Sequence, residues 1–176
     1  MTQTVVLGGG CFWCLDAAYR SVKGVSDVVS GYTGGSVPNP DYRSVCQGTT
    51  GHAEVVAVTF DEETVPFDVI LDIFFTIHDP TQLNRQGNDV GTQYRSAVFY
   101  ADPDQLAAAQ SAVERARQLW DGEIVTELAP LGEFWDAEEY HQNYFAKNPT
   151  QAYCLAVAVP KVQKVRANFA KWYRGV

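Results

Sequence analysis

The stretch "VVLGGGCFWCLDAAY", Val5 to Tyr19, reads as a strand, a glycine turn and a helix in succession. The apolar segment "TVVLG" predicts a short buried strand. Leu15, Ala18 and Val22 fall on one stripe at helical spacing, which predicts a helix over 11–22. The start of the chain therefore predicts the first strand and helix of an α/β fold.

The rest of the chain continues this alternation, in the predicted order β-α-β-β-α-β-α-β-α. That order indicates a two-layer α/β sandwich with a mixed sheet. The further predicted strands are 25–35, 53–60, 94–100 and 123–128, and the further predicted helices are 66–79, 102–120 and 136–147. Two long polar loops, 36–52 and 80–93, are uncommon in a compact domain unless they are functional. We expect both loops to form walls of a site that also contains the Cys11 turn.

The composition predicts one globular domain. A length of 176 residues suits a single domain, 1–176, and 46% apolar with 19% charged residues is typical of a folded protein. The formal net charge of -8 argues against a nucleic-acid partner, because phosphate binding needs clustered Lys and Arg.

The sequence predicts no membrane partner. The segment "VPFDVILDIFFTIHD" is too short to span a bilayer and is interrupted by Asp68 and Asp72. The first residues lack a basic segment followed by a long apolar one, so we expect a cytoplasmic protein. Thiols are kept reduced there, so its four cysteines are more often catalytic or metal-binding than structural.

Cys11 lies where the first strand gives way to a helix. The positive end of a helix and its free N–H groups lower the pKa of a thiol, which predicts a nucleophilic Cys11. The alternative is a buried cysteine that acts as a small hydrophobic residue. Phe12 and Trp13 are either core aromatics or an apolar slot for a methyl or thioether group.

The C-x-x-C of Cys11 and Cys14 has three interpretations. A zinc site needs a second close pair of ligands, but Cys46 and Cys154 are isolated, so we expect no metal. A thioredoxin-like dithiol exchanger matches the strand, motif and helix in outline. In the third interpretation Cys11 is the sole nucleophile and Cys14 is an accessory. The three histidines show no ligand spacing and are interpreted as structural or surface residues: His52, His78 and His141.

Further candidate residues come from the two loops and the strand between them. Glu54 lies on a strand flanked by apolar residues, where burial raises the pKa of a carboxyl group and allows it to donate a proton near neutral pH. The alternative is a glutamate at a strand edge that faces water. The second loop offers Asp89 and Tyr94, which are otherwise a turn residue and an aromatic at the start of a strand.

Five long motifs together resemble the peptide methionine sulfoxide reductases of the A type. They are "GGGCFWC", "GYTGG", "NPDYRSVCQGTTGHAEVV", "IHDPTQLNRQGNDVGTQYRSAVFY" and "FWDAEEYHQNYF", and they cover nearly the whole chain. The resemblance implies a ferredoxin-like core with a long, coiled C-terminal tail. It also implies reduction of the S epimer of methionine sulfoxide, free or in proteins, with electrons drawn from thioredoxin. We further expect a monomer that needs no cofactor.

The resemblance also implies roles for individual residues. Cys11 matches the catalytic cysteine, and Glu54 matches the acid that protonates the sulfoxide oxygen. Tyr42 and Tyr94 match the two hydroxyls that hydrogen-bond this oxygen. Asp89 matches a carboxylate that helps to bind the substrate through water.

The remaining matches concern the substrate methyl group and the recycling thiol. Phe12 and Trp13 match the aromatics that hold the methyl group, and Cys154 resembles the recycling cysteine. Many members have glycine where this chain has Cys14, so Cys14 is either inert or a second candidate for recycling. Cys46 is assigned no catalytic role.

Overall fold

The computed structural model describes residues 1–174. The strands are β1 (Thr2–Gly8), β2 (Val25–Thr33), β3 (Ala53–Asp61), β4 (Arg85–Gln86), β5 (Asp89–Val90), β6 (Ala97–Tyr100), β7 (Glu127–Pro130) and β8 (Trp135–Asp136). The helices are α1 (Phe12–Arg20), α2 (Tyr42–Cys46), α3 (Phe67–Ile77), α4 (Pro103–Ala116), α5 (Tyr144–Lys147) and α6 (Val159–Asn168). Short 3₁₀ turns occupy Thr92–Tyr94, Glu139–His141 and Ala170–Trp172, and a π-helical turn, Cys154–Ala158, precedes α6.

Six strands form one mixed sheet in the order β7-β6-β1-β3-β2-β8. The pairs are antiparallel except for β6 with β7, which is parallel. The series β1-α1-β2-β3-α3-β6, with β6-β1-β3-β2 side by side, is the ferredoxin-like arrangement. The predicted α/β sandwich with a mixed sheet is confirmed.

Both faces of the central strands are buried, because successive apolar side chains point to opposite sides of the sheet. Val5 and Leu7 of β1 point into the large core with α1 and α3. Val6, between them, packs with Val55 and Phe99 in a smaller cluster on the opposite face. The strand that precedes the Cys11 turn is therefore fixed at the centre of the molecule.

Both predicted loops contain short regular elements. In the first loop, Asp41 caps α2 by accepting a hydrogen bond from the Ser44 backbone N–H at 2.8 Å. In the second loop, β4 and β5 form a small hairpin. Tyr94, predicted at the start of a strand, lies in a 3₁₀ turn instead, because its N–H donates to Gly91 O at 3.0 Å.

Two predicted elements near the C-terminus differ from the structure. The strand expected over 123–128 is β7, which starts four residues later because Glu127 pairs with Ala97 of β6. The helix expected over 136–147 is interrupted. Trp135 and Asp136 pair with β2 instead, and Asn143 adopts a left-handed conformation with φ +54° before α5.

The expected long coiled C-terminal tail is not confirmed, because residues 152–168 are helical. Cys154, Ala158 and Val162 recur at four-residue spacing and form one buried stripe. This stripe packs against Ala17 of α1, which gives the helix an apolar surface to cover.

The segment that is most apolar in the sequence forms α3, a helix of 11 residues. Its side chains Ile70 and Phe74 are fully buried in the large core. Within residues 1–174, no helix has both the length and the apolar character that crossing a membrane requires.

Candidate active site

The turn before Cys11 requires glycine and connects β1 to the second loop. Gly10 has φ +87°, and a Cβ atom there would lie 2.9 Å from Gln86 Cγ. The Gly10 N–H donates to Tyr94 O at 3.2 Å. Cys11 follows in an extended conformation as the N-cap of α1 and is half-buried. The fold therefore holds Cys11 between the sheet and the second loop.

The electrostatic surroundings of Cys11 differ from the sequence expectation. Burial raises the pKa of its thiol well above the usual value, and a hydrogen bond with the Cys14 side chain and the charge of Glu54 add to this. The Trp13 backbone N–H lowers the pKa, as expected at a helix N-terminus, but burial outweighs it. The prediction of a lowered pKa is wrong for this structure, and Cys11 is a thiol at neutral pH.

Glu54 lies at the start of β3 with only 1% of its surface exposed. Its Oε1 accepts a hydrogen bond from the Phe12 backbone N–H at 3.2 Å, and its buried Oε2 has no protein partner. Burial is the main reason that the pKa of this carboxyl rises from 4.5 to about 8, and the charges of Asp89 and Cys14 contribute. At pH 7 the group is mostly neutral and can donate a proton.

Tyr42 in α2 and Tyr94 in the 3₁₀ turn Thr92–Tyr94 are both half-buried. Burial raises the pKa of both phenols, and the Glu54 charge is the next cause in each case. Tyr42 is held by its backbone N–H, which donates to Glu138 Oε2 at 2.9 Å. Both hydroxyls therefore stay protonated and lie within the electrostatic reach of the buried carboxyl.

The two aromatics that follow Cys11 are placed differently. Phe12 is fully buried, with its ring 6.3 Å from that of Tyr42. Trp13 is half-buried and stacks on Tyr144 with centroids 3.7 Å apart and planes 6° apart. The Trp13 indole N–H donates to His141 Nδ1 at 2.9 Å. Trp13 is thus oriented by two residues from the C-terminal part of the chain.

Asp89 connects the second loop to the C-terminal helix. Its Oδ2 accepts a hydrogen bond from the Tyr153 hydroxyl. A cavity of about 500 Å³ lies beside this pair, and Gln86 and Lys161 are among its lining residues. The charge of Asp89 also raises the pKa of Glu54, so the two carboxyls belong to one site.

All four cysteines are free, and they occupy different environments. Cys14 and Cys154 have no exposed surface and belong to one buried cluster, against which Cys11 packs. Cys46 is exposed and interacts with the Tyr42 hydroxyl. The structure therefore brings three of the four sulfurs to the α1 side of the site.

Sequence reasoning missed the C-terminal residues that contact Trp13 and Asp89, namely His141, Tyr144 and Tyr153. His141, interpreted as structural or surface, is fully buried and lies 4.4 Å from the Tyr42 ring between centroids. The aromatic-rich stretch "EEYHQNYF" was the available signal, since aromatics concentrated in an irregular segment need a surface to cover.

The other two histidines are structural. His78 hydrogen-bonds Phe74 O at 2.5 Å and Ser96 Oγ at 2.7 Å, and His52 bonds Val37 O at 2.7 Å. Throughout 1–174, no group of three or more His, Cys, Asp or Glu side chains is arranged to bind a metal ion.

A thiol beside a second thiol, a neutral carboxyl and two phenols can accept an oxygen atom and form a disulfide. Sulfur can take the oxygen as a sulfenic acid, the carboxyl can protonate a bound oxygen, and the second thiol can displace it. Fold and site together define a thiol-dependent oxidoreductase.

Comparisons with known proteins identify the family. The family model described as peptide methionine sulfoxide reductase matches residues 3–173. A peptide methionine sulfoxide reductase MsrA of Clavibacter michiganensis subsp. michiganensis is 63% identical over 172 residues, covering 98% of each chain. The chain belongs to the peptide methionine sulfoxide reductases of the A type, and it is an oxidoreductase.

Solved structures agree with this assignment. The reduced form of Mxr1 from Saccharomyces cerevisiae has a TM-score of 0.81 and 37% identity, covering 85% of this chain and 87% of that one. Mxr1 in complex with Trx2 has a TM-score of 0.59 and 26% identity, covering 81% of this chain and 84% of that one.

Proposed function

We propose that this enzyme reduces the S epimer of methionine sulfoxide, free or within oxidised proteins, through a sulfenic acid on Cys11. The observation that carries the proposal is the buried Glu54 carboxyl, whose Oε1 is bonded to the Phe12 N–H and whose Oε2 has no partner. A neutral acid with a free oxygen beside a thiol suits a substrate that must be protonated on oxygen. The preference for the S epimer rests on the family resemblance.

Substrate binding follows from the polarity of a sulfoxide. The Tyr42 and Tyr94 hydroxyls donate hydrogen bonds to the sulfoxide oxygen, and Glu54 donates its proton to it. This polarises the sulfur–oxygen bond and makes sulfur electrophilic. Trp13, with Phe12 behind it, provides apolar surface for the methyl group. Asp89 helps to bind the substrate through water.

The chemical step transfers one oxygen atom between two sulfurs. The Cys11 sulfur attacks the methionine sulfur and loses its proton to the Glu54 carboxylate, which has just protonated the oxygen. The hydroxyl group then passes to the Cys11 sulfur: the S–O bond to methionine and the new S–S bond break, an S–O bond to Cys11 forms, and methionine leaves with Cys11 as a sulfenic acid. The sulfoxide gains two electrons and Cys11 loses two, so the step needs no metal or organic cofactor.

Recycling converts the sulfenic acid into a disulfide that an external dithiol reduces. The resemblance points to Cys154 as the recycling thiol, and Cys14 is the second candidate. Thioredoxin is the proposed reductant, supported by the complex of the yeast neighbour with Trx2. We assign this reaction to a single domain, 1–176, acting as a cytoplasmic monomer in the repair of oxidised proteins.

A single-turnover experiment tests this proposal. The reduced enzyme is mixed with racemic methionine sulfoxide without reductant, and the methionine formed and the thiols lost are counted. One methionine per chain, from the S epimer alone, is expected. Disulfide exchange with an unrelated protein and no methionine would indicate a general dithiol exchanger. Stoichiometric oxidation with no turnover under any reductant would indicate a thiol sensor. Either result would overturn the proposal.

A further inference from the structure

The cavity beside Asp89 lies between two segments that are far apart in the sequence. Its volume is about 500 Å³. One wall is the β4–β5 hairpin, which contributes residues 86–89. The other wall is the helical run 152–168, which contributes Tyr153, Ala156, Val157 and Lys161. The sulfoxide chemistry proposed above uses Asp89 but none of the helical residues, so this wall has no role in it.

The helical wall of the cavity follows from the spacing of its residues. Ala156 and Val157 lie three and four positions after Tyr153, and Lys161 lies four positions after Val157. Helical geometry places residues at these separations on one side. The buried stripe on the adjacent side packs against α1, so the helix presents this side to the hairpin.

The cavity adjoins the groups that are proposed to hold the sulfoxide. Gln86 packs against the turn before Cys11, since a Cβ atom on Gly10 would lie 2.9 Å from Gln86 Cγ. Tyr153 meets Trp13 edge-on, with ring centroids 5.9 Å apart and planes at 81°. A substrate whose sulfur lies at Cys11 and whose methyl group lies on Trp13 therefore has the cavity within reach of its main chain.

Lys161 is the only cation among the described residues that line the cavity. Its side chain is half-buried, and its Nζ donates one hydrogen bond, to Ile77 O at 2.5 Å. A lysine ammonium has three N–H donors. Within residues 1–174, no carboxylate lies within 4.0 Å of this Nζ, that of Asp89 included. The ammonium therefore has both charge and donors left for a ligand.

The partial burial of Lys161 favours an anionic ligand. Burial is the main cause that lowers the pKa of this ammonium, because the charged form loses hydration. An anion that binds to the ammonium restores that loss through a charge-assisted hydrogen bond. Asp89 does not compete for this role, since its Oδ2 accepts a hydrogen bond from the Tyr153 hydroxyl instead.

We propose that this cavity is a carboxylate subsite, in which the Lys161 ammonium binds a carboxylate that the substrate carries close to its oxidised methionine. The carboxylate is either the α-carboxylate of methionine sulfoxide itself or the side chain of an acidic residue beside it in a peptide. This inference rests on the proposed function, because it concerns the part of a sulfoxide substrate that surrounds the sulfur.

The first test compares two small substrates that differ only at the carboxyl group. They are the S epimers of N-acetylmethionine sulfoxide and of its N-methylamide, and KM is measured for each with an excess of dithiol. In the wild type we expect KM to be about tenfold to a hundredfold lower for the carboxylate, with similar kcat, because a hydrogen bond to a charged group is lost in the amide.

The second test compares two peptides that differ in one residue next to methionine sulfoxide, Asp in one and Asn in the other. A lower KM for the Asp peptide identifies an acidic side chain as the source of the carboxylate. A preference confined to the small substrates identifies the α-carboxylate. Equal KM values within both pairs in the wild type would overturn the inference, and this comparison needs no variant.

Variants of Lys161 show whether its charge causes the preference. In Lys161→Met the two members of a pair should have equal KM values, whereas Lys161→Arg should keep the preference for the carboxylate. Lys164→Met, at an exposed lysine on the same helix, is the matched control and should keep the wild-type preference. A rise in KM by the same factor for both members of a pair in Lys161→Met would mean a merely structural role and would contradict the subsite.

These tests separate failure of the inference from failure of the proposed function. If no substrate yields methionine, the sulfoxide reductase reaction itself is absent. If every substrate yields methionine and the carboxylate makes no difference to KM, the reaction stands and only the subsite fails.

Discussion

The glycine turn with its central strands and the C-terminal segment 138–161 contribute to the site in different ways. The first region carries the proposed reacting groups, Cys11 in the turn after β1 and Glu54 on β3, at the centre of the sheet. The second supplies side chains that contact Trp13 and Asp89 from short turns and from a helix that packs on α1 through a buried stripe. We therefore expect the oxygen-transfer chemistry to depend on the sheet, and the orientation of Trp13 to depend on the C-terminal segment.

The largest expected effect concerns the sheet-anchored thiol. Cys11→Ser should lower methionine formation at least about a thousandfold, because a hydroxyl is a far weaker nucleophile than a thiol. The measurement is kcat/KM with methionine sulfoxide and an excess of dithiol. Cys46→Ser, at an exposed cysteine, should stay within about twofold of wild type. Substantial turnover by Cys11→Ser would assign the reaction to another sulfur, and the reacting thiol would then not be the one held by the central sheet.

The next effect concerns the buried acid on β3. Glu54→Gln should lower the single-turnover rate by about 10²–10⁴-fold, since it removes the proton donor. The wild-type rate should fall as pH rises through about 8, where the carboxyl ionises, and the variant should lack this decline. Glu63→Gln, at an exposed glutamate, serves as the control. An unchanged pH profile in Glu54→Gln would show that another group supplies the proton.

The same substitution should stabilise the fold. The pKa of Glu54 is raised from 4.5 to about 8, because burial disfavours the carboxylate in the folded state. The stability that the protonated carboxyl contributes is fully present below pH 4.5 and is lost as pH rises through 8. The loss amounts to about 3 kcal/mol at pH 7. Denaturant unfolding of Glu54→Gln at pH 7 should therefore give a larger free energy of unfolding than wild type, with little difference at pH 4. Equal stability at both pH values would mean that the carboxyl is solvated.

The smallest expected effect tests the C-terminal contribution to orientation. Tyr144→Leu removes the ring stacked on Trp13, an interaction worth about 0.5–1.5 kcal/mol, so KM should rise between about twofold and tenfold with kcat nearly unchanged. Steady-state kinetics on a peptide substrate measure this. Phe145→Leu, the next residue of α5, controls for damage to the helix. An equal rise in KM in both variants would show that the stacking of Tyr144 on Trp13 has no specific role.

The sequence predicts the first region better than the second for a physical reason. The strands β1 and β3 are apolar runs with regular alternation, and Glu54 is recognisable because apolar residues surround it along the strand. The C-terminal segment is ordered by contacts with residues distant in sequence, such as Trp13 with His141 and Tyr144. Local pattern carries no information on those contacts, so the pattern predicts one helix over 136–147 where β8, a 3₁₀ turn and the short helix α5 lie.

The reactivity of the cysteines could not be predicted from local sequence either. The helix N-terminus does act to lower the pKa of Cys11. Burial and the neighbouring Cys14 raise it by more, so the net shift is upward. The charge of Lys161 lowers the pKa of Cys14 although the two residues are 147 positions apart in the sequence. They are close because α6 packs on α1. The assigned roles of the site residues themselves stay predictions until the variants are measured.

The most direct measurement of the central claim is the protonation state of Glu54 in the reduced enzyme. Infrared difference spectroscopy between wild type and Glu54→Gln isolates the carboxyl stretch of this one residue across a pH titration. The account predicts a protonated carboxyl at pH 7 that ionises near pH 8. A carboxylate already ionised at pH 5 would contradict it, because a sulfoxide oxygen bound there would then have no acid to protonate it.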